Sequence, residues 1–453
     1  MSTSFQTHMT YKEAISYLES LIPTERNVHL NVNPLERMKA LLSELGNPQS
    51  KFVSVQVSGT SGKGSTSYLL SHVLAIAGYK TGLSTSPHLE RATERMKING
   101  VEITKDRFVE LLQEVKIAAQ KVTQTSLGTP TYFEALVAVS FLYFAKEMVD
   151  IAVIEVGLEG KYDGTNTLMP VVGILTNISI DHVEYLGDTT EKIAHEAVSF
   201  IKPGMKVITG VTQDEVLSIV QEASERAQVD LVVLDDCVSL DVKSCTLKGS
   251  LFSFKSNERT ISEILLSIVG MYQVENASLV LLALEALDKK GFKVTEQDIR
   301  GAFGSASFNG RFEHFIVDGT TIILDSAHNE AKMNAFTGEL ERLYPERKKI
   351  FILAFKKAKN LHPIFEAIHT SADEVVFSEF HVTIDTSKNA TMVASTVAEV
   401  YKTTYPGSVT YVQSTPEDAL YEAIDLAKSG NGLVVITGSM YLVGQVRSIL
   451  SKG

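Results

Sequence analysis

Val53, Val55 and Val57 alternate with Ser54 and Gln56, and a glycine-rich turn then leads into residues 65–79, where Leu69, Leu70, Val73, Leu74 and Ala77 recur at helical spacing. The pattern predicts strand, loop, helix. Two more apolar runs, Ile151–Val156 and Val171–Ile178, lack clean alternation, as expected of strands covered on both faces of a parallel sheet. Helical patterns at 133–146 and 190–201 complete the order of a doubly wound α/β domain. Shorter segments from 235 to 261 read as a small antiparallel appendage with a turn at Gly249 and Ser250, and a helix is expected at 271–287. The Gly/Ser-rich stretch GAFGSASFNG, 301–310, suits a linker. Beyond it, apolar runs at 321–324, 349–355, 374–377, 409–412 and 433–437 alternate with helix-like segments. Two unequal α/β domains, 1–300 and 311–453, are expected with a cleft between them.

At 453 residues the chain is long enough for two cores, and 44% hydrophobic with 21% charged residues is ordinary for a folded globular protein. The net charge of −12 argues against a nucleic-acid scaffold, which needs a basic surface to displace counterions. An anionic ligand must therefore be met by focused donors. Cys237 and Cys245 are the only cysteines, too few for a secreted fold built on disulfides, and no run reaches membrane-spanning length. The sequence reads as cytoplasmic, without nucleic-acid or membrane partners.

Local chemistry concentrates in Gly59-Thr60-Ser61-Gly62-Lys63-Gly64-Ser65. Glycines let several N–H groups turn toward one anion, the following helix adds positive potential at its N-terminus, and Lys63 supplies a full charge. Ser65 is then placed to ligate magnesium. The spacing is shorter than the common G-x-x-x-x-G-K-[ST] pattern, and the rival reading is a tight turn with an incidental lysine. Glu155 sits inside an apolar strand, where a carboxylate needs a cation or a strong donor: a magnesium site and a structural salt bridge are both open. Asp181-His182 and Asp325-Ser326-Ala327-His328-Asn329 each follow a strand, at the end where open α/β sheets bind ligands. Thr85-Ser86-Pro87-His88-Leu89 taken alone reads as a surface loop.

Read in order, these pieces resemble the folylpolyglutamate synthase and dihydrofolate synthase family, a branch of the Mur ligases, over almost the whole chain. Leu45-Gly46-Asn47-Pro48, GTSGKGST from Gly59, TSPHL from Thr85, ERMKING from Glu94 and TYFEA from Thr131 match its successive N-terminal motifs. Ile154-Glu155-Val156-Gly157, Asp163-Gly164-Thr165-Asn166, Thr176-Asn177, Asp181-His182 and Ile201-Lys202-Pro203-Gly204 continue the series. Gln273 with Asn276, Gly310-Arg311-Phe312-Glu313, the Asp325–Asn329 element and Gly438-Ser439-Met440-Tyr441-Leu442 complete it. The resemblance implies a P-loop-containing Mur-ligase-like N-terminal domain and a smaller Rossmann-like C-terminal ligase domain. It implies ATP and Mg2+ as cofactors, folate and L-glutamate as substrates, and a monomer. Gly59 to Ser65, Asn276, Arg311 and Asp325 would contact nucleotide; Ser65, Ser86, Glu155 and His182 would hold metal. Lys63 and His328 would be catalytic, with His328 and Ser439 lining the substrate cleft.

The chain also departs from the family pattern. The lysine of a segment resembling E-K-A-G-I-I-K, often carbamylated to a metal-ligating carboxylate, is Ala197 here, with Glu196 beside it. Glu159-Gly160-Lys161-Tyr162-Asp163-Gly164-Thr165-Asn166 replaces a segment close to G-G-R-L-D-A-T-N, Ala358-Lys359-Asn360 replaces D-K-D, and Glu330 replaces proline. The resemblance leaves three activities open: glutamate addition to a reduced folate, dihydrofolate synthesis from dihydropteroate or ligation to another acceptor, and nucleotide or folate binding with little turnover.

Overall fold

The computed structural model describes residues 9–22, 33–357, 360–381, 391–428 and 431–452. Among them, eight strands form the larger sheet, in the spatial order Val101–Glu102, Met96–Ile98, Thr81–Ser84, Ile151–Glu155, Val53–Ser58, Val172–Leu175, Lys206–Thr209 and Leu231–Val233. The first two are an antiparallel edge; the rest run parallel. Ile151–Glu155 and Val172–Leu175 are buried throughout, which is why their sequences do not alternate. Val153 points into the core shared with helices Lys63–Ile76 and Met271–Asp288, while Ile154 joins the opposite core with helices Lys105–Thr123 and Tyr132–Lys146. Val53–Ser58 is central. The chain leaves it toward Thr81–Ser84 on one side and later returns at Val172–Leu175 on the other, a switch in strand order that opens a crevice at the carboxyl ends.

Ser239–Thr246, Gly249–Lys255 and Thr260–Leu266 form the antiparallel appendage. Its turn lies at Leu247–Lys248, so Gly249 and Ser250 begin a strand instead of making the expected turn. Phe252, Phe254, Ile261 and Ile264 bury against helix Met271–Asp288, with a register shift in the pairing between the two strands. The stretch expected as a linker is helical in its first part, because helix Glu296–Gly304 continues through Gly301; the irregular segment is 305–310. Capping by Thr295 starts that helix, and Ala302 and Phe303 bury in the core, so packing overrides the glycines.

The second sheet has six strands among the described residues, ordered Glu313–Val317, Thr320–Leu324, Leu433–Thr437, Lys349–Leu353, Glu374–Phe377 and Val409–Val412. Only the first pair is antiparallel. Ala358 and Lys359 lie outside the described residues. Among the contacts between the two units, Asn329 Nδ2 donates to Asp181 Oδ2 at 2.7 Å, Arg447 donates to Glu90 Oε1 at 2.7 Å while its Nε lies 3.0 Å from Glu313, and Arg342 Nη1 donates to Cys245 O at 2.7 Å. No helix among the described residues is long and apolar enough to cross a membrane.

Candidate active site

The loop Gly59–Ser65 stands between the central strand and helix Lys63–Ile76, as its sequence predicts. Gly59 has φ +123°, and a Cβ there would lie 2.2 Å from Thr176 Oγ1; Gly62 has φ +84°, with Asn276 Oδ1 2.3 Å from where a Cβ would be. Both positions therefore demand glycine. The segment after strand Val172–Leu175 straps the loop in place: Thr60 N donates to Asn177 O at 2.8 Å, Ser61 N to Asn177 Oδ1 at 2.9 Å, and Thr176 Oγ1 to Ser61 O at 2.6 Å. Asn276, in turn, receives a long hydrogen bond from Thr66 and donates to Gln273 Oε1 at 2.9 Å. Asn276 thus supports the loop from behind. Ser61 Oγ and Ser179 Oγ are buried without a hydrogen-bond partner among the described residues.

Lys63 Nζ donates to Gly59 O and lies 2.6 Å from Glu159 Oε1. Burial pulls the Lys63 pKa down, but Glu159, Glu155 and Asp181 together outweigh it and leave the ammonium held above its ordinary value. Glu155 ends its strand beside the loop, with Oε1 3.7 Å from where a Cβ on Gly64 would stand and Oε2 accepting from Ser86 N at 2.9 Å. Burial raises its pKa against the opposing pull of Lys63, the Ser86 amide, Arg311 and Lys332. A buried carboxylate with one direct donor is an incompletely compensated charge.

A cavity opens next to Glu155, bounded by Ser86, Arg95, Phe133, Leu136 and Val137. Arg95 enters it with Nε donating to His88 Nδ1 at 2.9 Å and its guanidinium 5.7 Å from the centre of the Tyr132 ring. Burial, aided by the charge of Arg95, pushes the His88 pKa down to about 3, so the imidazole is neutral and serves as acceptor. The TSPHL segment is therefore part of the site wall, more than the surface loop its composition suggests.

From the second unit, Asp325 accepts from Phe312 N and Ala327 N, each at 2.9 Å, and burial raises its pKa against Arg311. Those amides fix the turn that carries His328. His328 Nδ1 lies 2.7 Å from Ser326 O; a carbonyl only accepts, so that nitrogen carries the proton and Nε2 faces Asp181 at 3.9 Å. Lys332 Nζ is 3.8 Å from the same Asp181 oxygen. Arg311 lies over Phe308, 5.6 Å from its ring centre, and Phe308 stacks on Tyr68 at 5.0 Å. Ser439 is buried and caps the last helix, accepting from Tyr441 N at 3.2 Å.

Of the residues expected at a metal site, Ser65 takes no hydrogen-bond partner among the described residues, and Glu155 faces the same loop, a pair of hard oxygen donors suited to magnesium. His182 is exposed and begins the short helix Val183–Leu186 at φ +50°. Among the described residues no three His, Cys, Asp or Glu side chains gather into a metal cluster. Ala197 is buried among Leu175, Ile178, Leu186, Ile193 and Phe200, and the neighbouring Glu196 accepts from Lys161 N at 3.2 Å. Sequence reasoning named the segments of Glu159, Asp181 and Asn329 without giving these three residues a partner, and overlooked Lys332. The signal for Glu159 was its replacement of a glycine; the rest needed the meeting of the two units.

A Mur ligase middle-domain profile matches residues 57–284, and a profile described as dihydrofolate synthetase, C-terminal domain, matches 311–450. The chain is 31% identical to dihydrofolate synthase/folylpolyglutamate synthase of Bacillus subtilis, covering 97% of this chain and 99% of that one. It is 29% identical to folylpolyglutamate synthase of Lacticaseibacillus casei, covering 98% of this chain and 100% of the relative. Folylpolyglutamate synthase of Mycobacterium tuberculosis, solved with ADP and AMPPCP, superposes with a TM-score of 0.88 at 26% identity over 98% and 99% of the two chains. Likeness sustained from end to end, through both sheets and the segment that joins them, makes this chain a member of the folylpolyglutamate synthase and dihydrofolate synthase family of the Mur ligase superfamily.

Proposed function

We propose that the chain is an ATP-dependent ligase that joins L-glutamate to the γ-carboxylate of a reduced folate, releasing ADP and phosphate. The observation that carries the reading is the meeting of a preformed phosphate loop, the buried Glu155 and a small cleft of mixed polar and apolar lining with Arg95 in its wall. Arg95 offers a planar guanidinium to a carboxylate beside Glu155, with Phe133, Leu136 and Val137 supplying apolar surface next to it. The names of the B. subtilis and L. casei relatives support the same substrate class.

In this reading an acceptor carboxylate oxygen attacks the γ-phosphorus of ATP and the bond to ADP breaks. The glutamate nitrogen then attacks the acyl carbon, loses a proton and expels phosphate. Lys63 and the loop amides bind the phosphates and oppose the charge that grows on them. Ser65 and Glu155, with Ser86 and His182, are the residues we assign to magnesium, whose chemistry is to neutralise the phosphate oxygens during transfer. Arg311 and Asn276 flank the nucleotide, with Asp325 holding the turn that presents His328. His328 and Ser439 line the side from which glutamate enters. Closure through Asp181 and Asn329 excludes water, which would hydrolyse the acyl phosphate. Residues 1–304 form the ATP-binding domain and 311–453 the ligase domain, joined at 305–310.

A second reading, dihydrofolate synthesis from dihydropteroate, is favoured by the C-terminal profile and by the double name of the B. subtilis relative. One assay separates the two: ADP release with magnesium and L-glutamate, using tetrahydrofolate or dihydropteroate as acceptor. Turnover with tetrahydrofolate is the expected result, and turnover with dihydropteroate alone would replace the first reading by the second. Lys63→Ala abolishes turnover under both; an active Lys63→Ala enzyme would remove the loop from the chemistry.

A further inference from the structure

The phosphate-loop lysine already holds an anion. Lys63 Nζ lies 2.6 Å from Glu159 Oε1, and the two side chains retain 13% and 2% of their exposure. Glu159 stands on a loop whose backbone is pinned on both sides. Leu158 N donates to Asp163 Oδ2 at 2.9 Å, Asn166 Nδ2 to Gly160 O at 2.9 Å, and Lys161 N to Glu196 Oε2 at 3.2 Å. Glu159 can therefore leave Lys63 by turning its side chain, with no change in the loop that carries it. Asp163 itself is locked by Thr165 N at 2.8 Å and Thr165 Oγ1 at 2.6 Å, so the platform is rigid.

We propose that Glu159 is a positioning residue that takes the place of phosphate on Lys63 when no nucleotide is bound and sets nucleotide affinity, because a nucleotide must displace it from Lys63 before binding. The proposal rests on the ligase reading only in taking a nucleotide's phosphates to bind at Gly59–Ser65. An oxygen of a phosphate placed on Lys63 would meet the Glu159 carboxylate at like charge in a water-poor site, where repulsion is weakly screened. Without nucleotide, the carboxylate is the ion-pair partner of a buried lysine whose other direct hydrogen bond among the described residues goes to Gly59 O. The pair thus stabilises the empty enzyme and opposes loading. Removing the negative charge reverses both effects.

The test is equilibrium binding of ADP by titration calorimetry, with and without magnesium, to the full chain and to Glu159→Gln, Glu159→Gly and Glu159→Asp, alongside their melting temperatures. The Gln and Gly variants are expected to bind ADP about tenfold more tightly or better. They are also expected to melt lower than the parent when empty, with ADP closing the gap. Glu159→Asp, which keeps the charge, is expected to stay near the parent affinity, a rescue that loss of a merely structural contact would not give. ADP affinity that is unchanged or weaker in Glu159→Gln overturns the proposal; that variant is isosteric and decides even where Glu159→Gly does not fold. A parent chain that binds ADP while the variants bind no tighter overturns this inference alone. A parent chain that binds no ADP overturns the ligase reading with it.

Discussion

Asp181 Oδ2 accepts a hydrogen bond from Asn329 Nδ2 at 2.7 Å, and these residues belong to different sheets' worth of chain: one follows the strand Val172–Leu175, the other the strand Thr320–Leu324. The same oxygen faces His328 and Lys332 at 3.9 and 3.8 Å. A single carboxylate thereby gathers three groups of the second unit over the phosphate loop. Asn329→Ala is expected to lower kcat about tenfold or more while leaving ADP affinity nearly unchanged, because closure is impaired and the loop is not. Steady-state kinetics with Asp181→Ala and the double variant check it: losses that add in full would show that the two residues do not act as a unit.

Gly62 at φ +84°, with Asn276 Oδ1 2.3 Å from the place of a Cβ, has no room for alanine. Gly62→Ala is expected to lose about 1–3 kcal/mol of stability and most ADP affinity. A Cβ on Gly64 would meet Phe308 at 3.4 Å and Glu155 Oε1 at 3.7 Å, ordinary contacts, so Gly64→Ala should melt within about a degree or two of the parent. Thermal melts of the two variants decide between local strain and a general intolerance of the loop.

Arg37 and Glu134 form a buried ion pair, with Arg37 Nε 2.9 Å from Glu134 Oε2 and Nη2 3.0 Å from Oε1. This pair explains the TYFEA segment: Glu134 also caps its helix by accepting from Thr131 N at 2.7 Å. Arg37→Met should cost about 3–5 kcal/mol by leaving a buried carboxylate, and adding Glu134→Leu should return part of that. Urea denaturation measures both. A double variant less stable than Arg37→Met would contradict the assignment.

Lys202 donates to Asn166 O and Leu168 O, each at 2.6 Å, yet burial lowers its pKa to about 8, with Lys39 adding to the effect and Asp163 opposing it. The ordinary lysine value is 10.5. Between these two values the unfolded chain binds the proton and the native chain does not, so native stability rises with pH across that window. Below it, both states are protonated and the cost of the buried charge is fully present. The gain from pH 8 upward should be about 2 kcal/mol after allowance for partial exposure. It should vanish in Lys202→Met, as seen by urea midpoints measured at each pH relative to the parent.

Much of this architecture is written in local pattern. Val53 to Ser65 foretells strand, loop and helix because alternation, glycine and helical spacing are each set within a few residues. The six strands of the second sheet are foreshadowed nearly completely in the apolar runs, with Glu313–Val317 missed because its outward residues are mixed and half exposed. Thr81–Ser84 is only four residues and carries Gly82, so it escapes notice until its neighbours bury it. Gly301 reads as a linker residue because glycine disfavours a helix, but Phe303 anchors that helix in the core. The site follows the same rule. Lys63 and Glu155 are legible because each is anomalous where it stands. Asp181 acquires its role from Asn329, His328 and Lys332, which lie almost 150 positions away, and no local pattern reports a partner at that distance.

The strap from Thr176 and Asn177 has a consequence for how the enzyme cycles. Because those hydrogen bonds come from the chain itself, the shape of the loop to which we assign phosphate is set when the chain folds and not at each turnover. Loading it requires little ordering of backbone, so the heat-capacity change on ADP binding should be small, and successive rounds begin from the same shape. The shape of the loop is then a property of the resting protein.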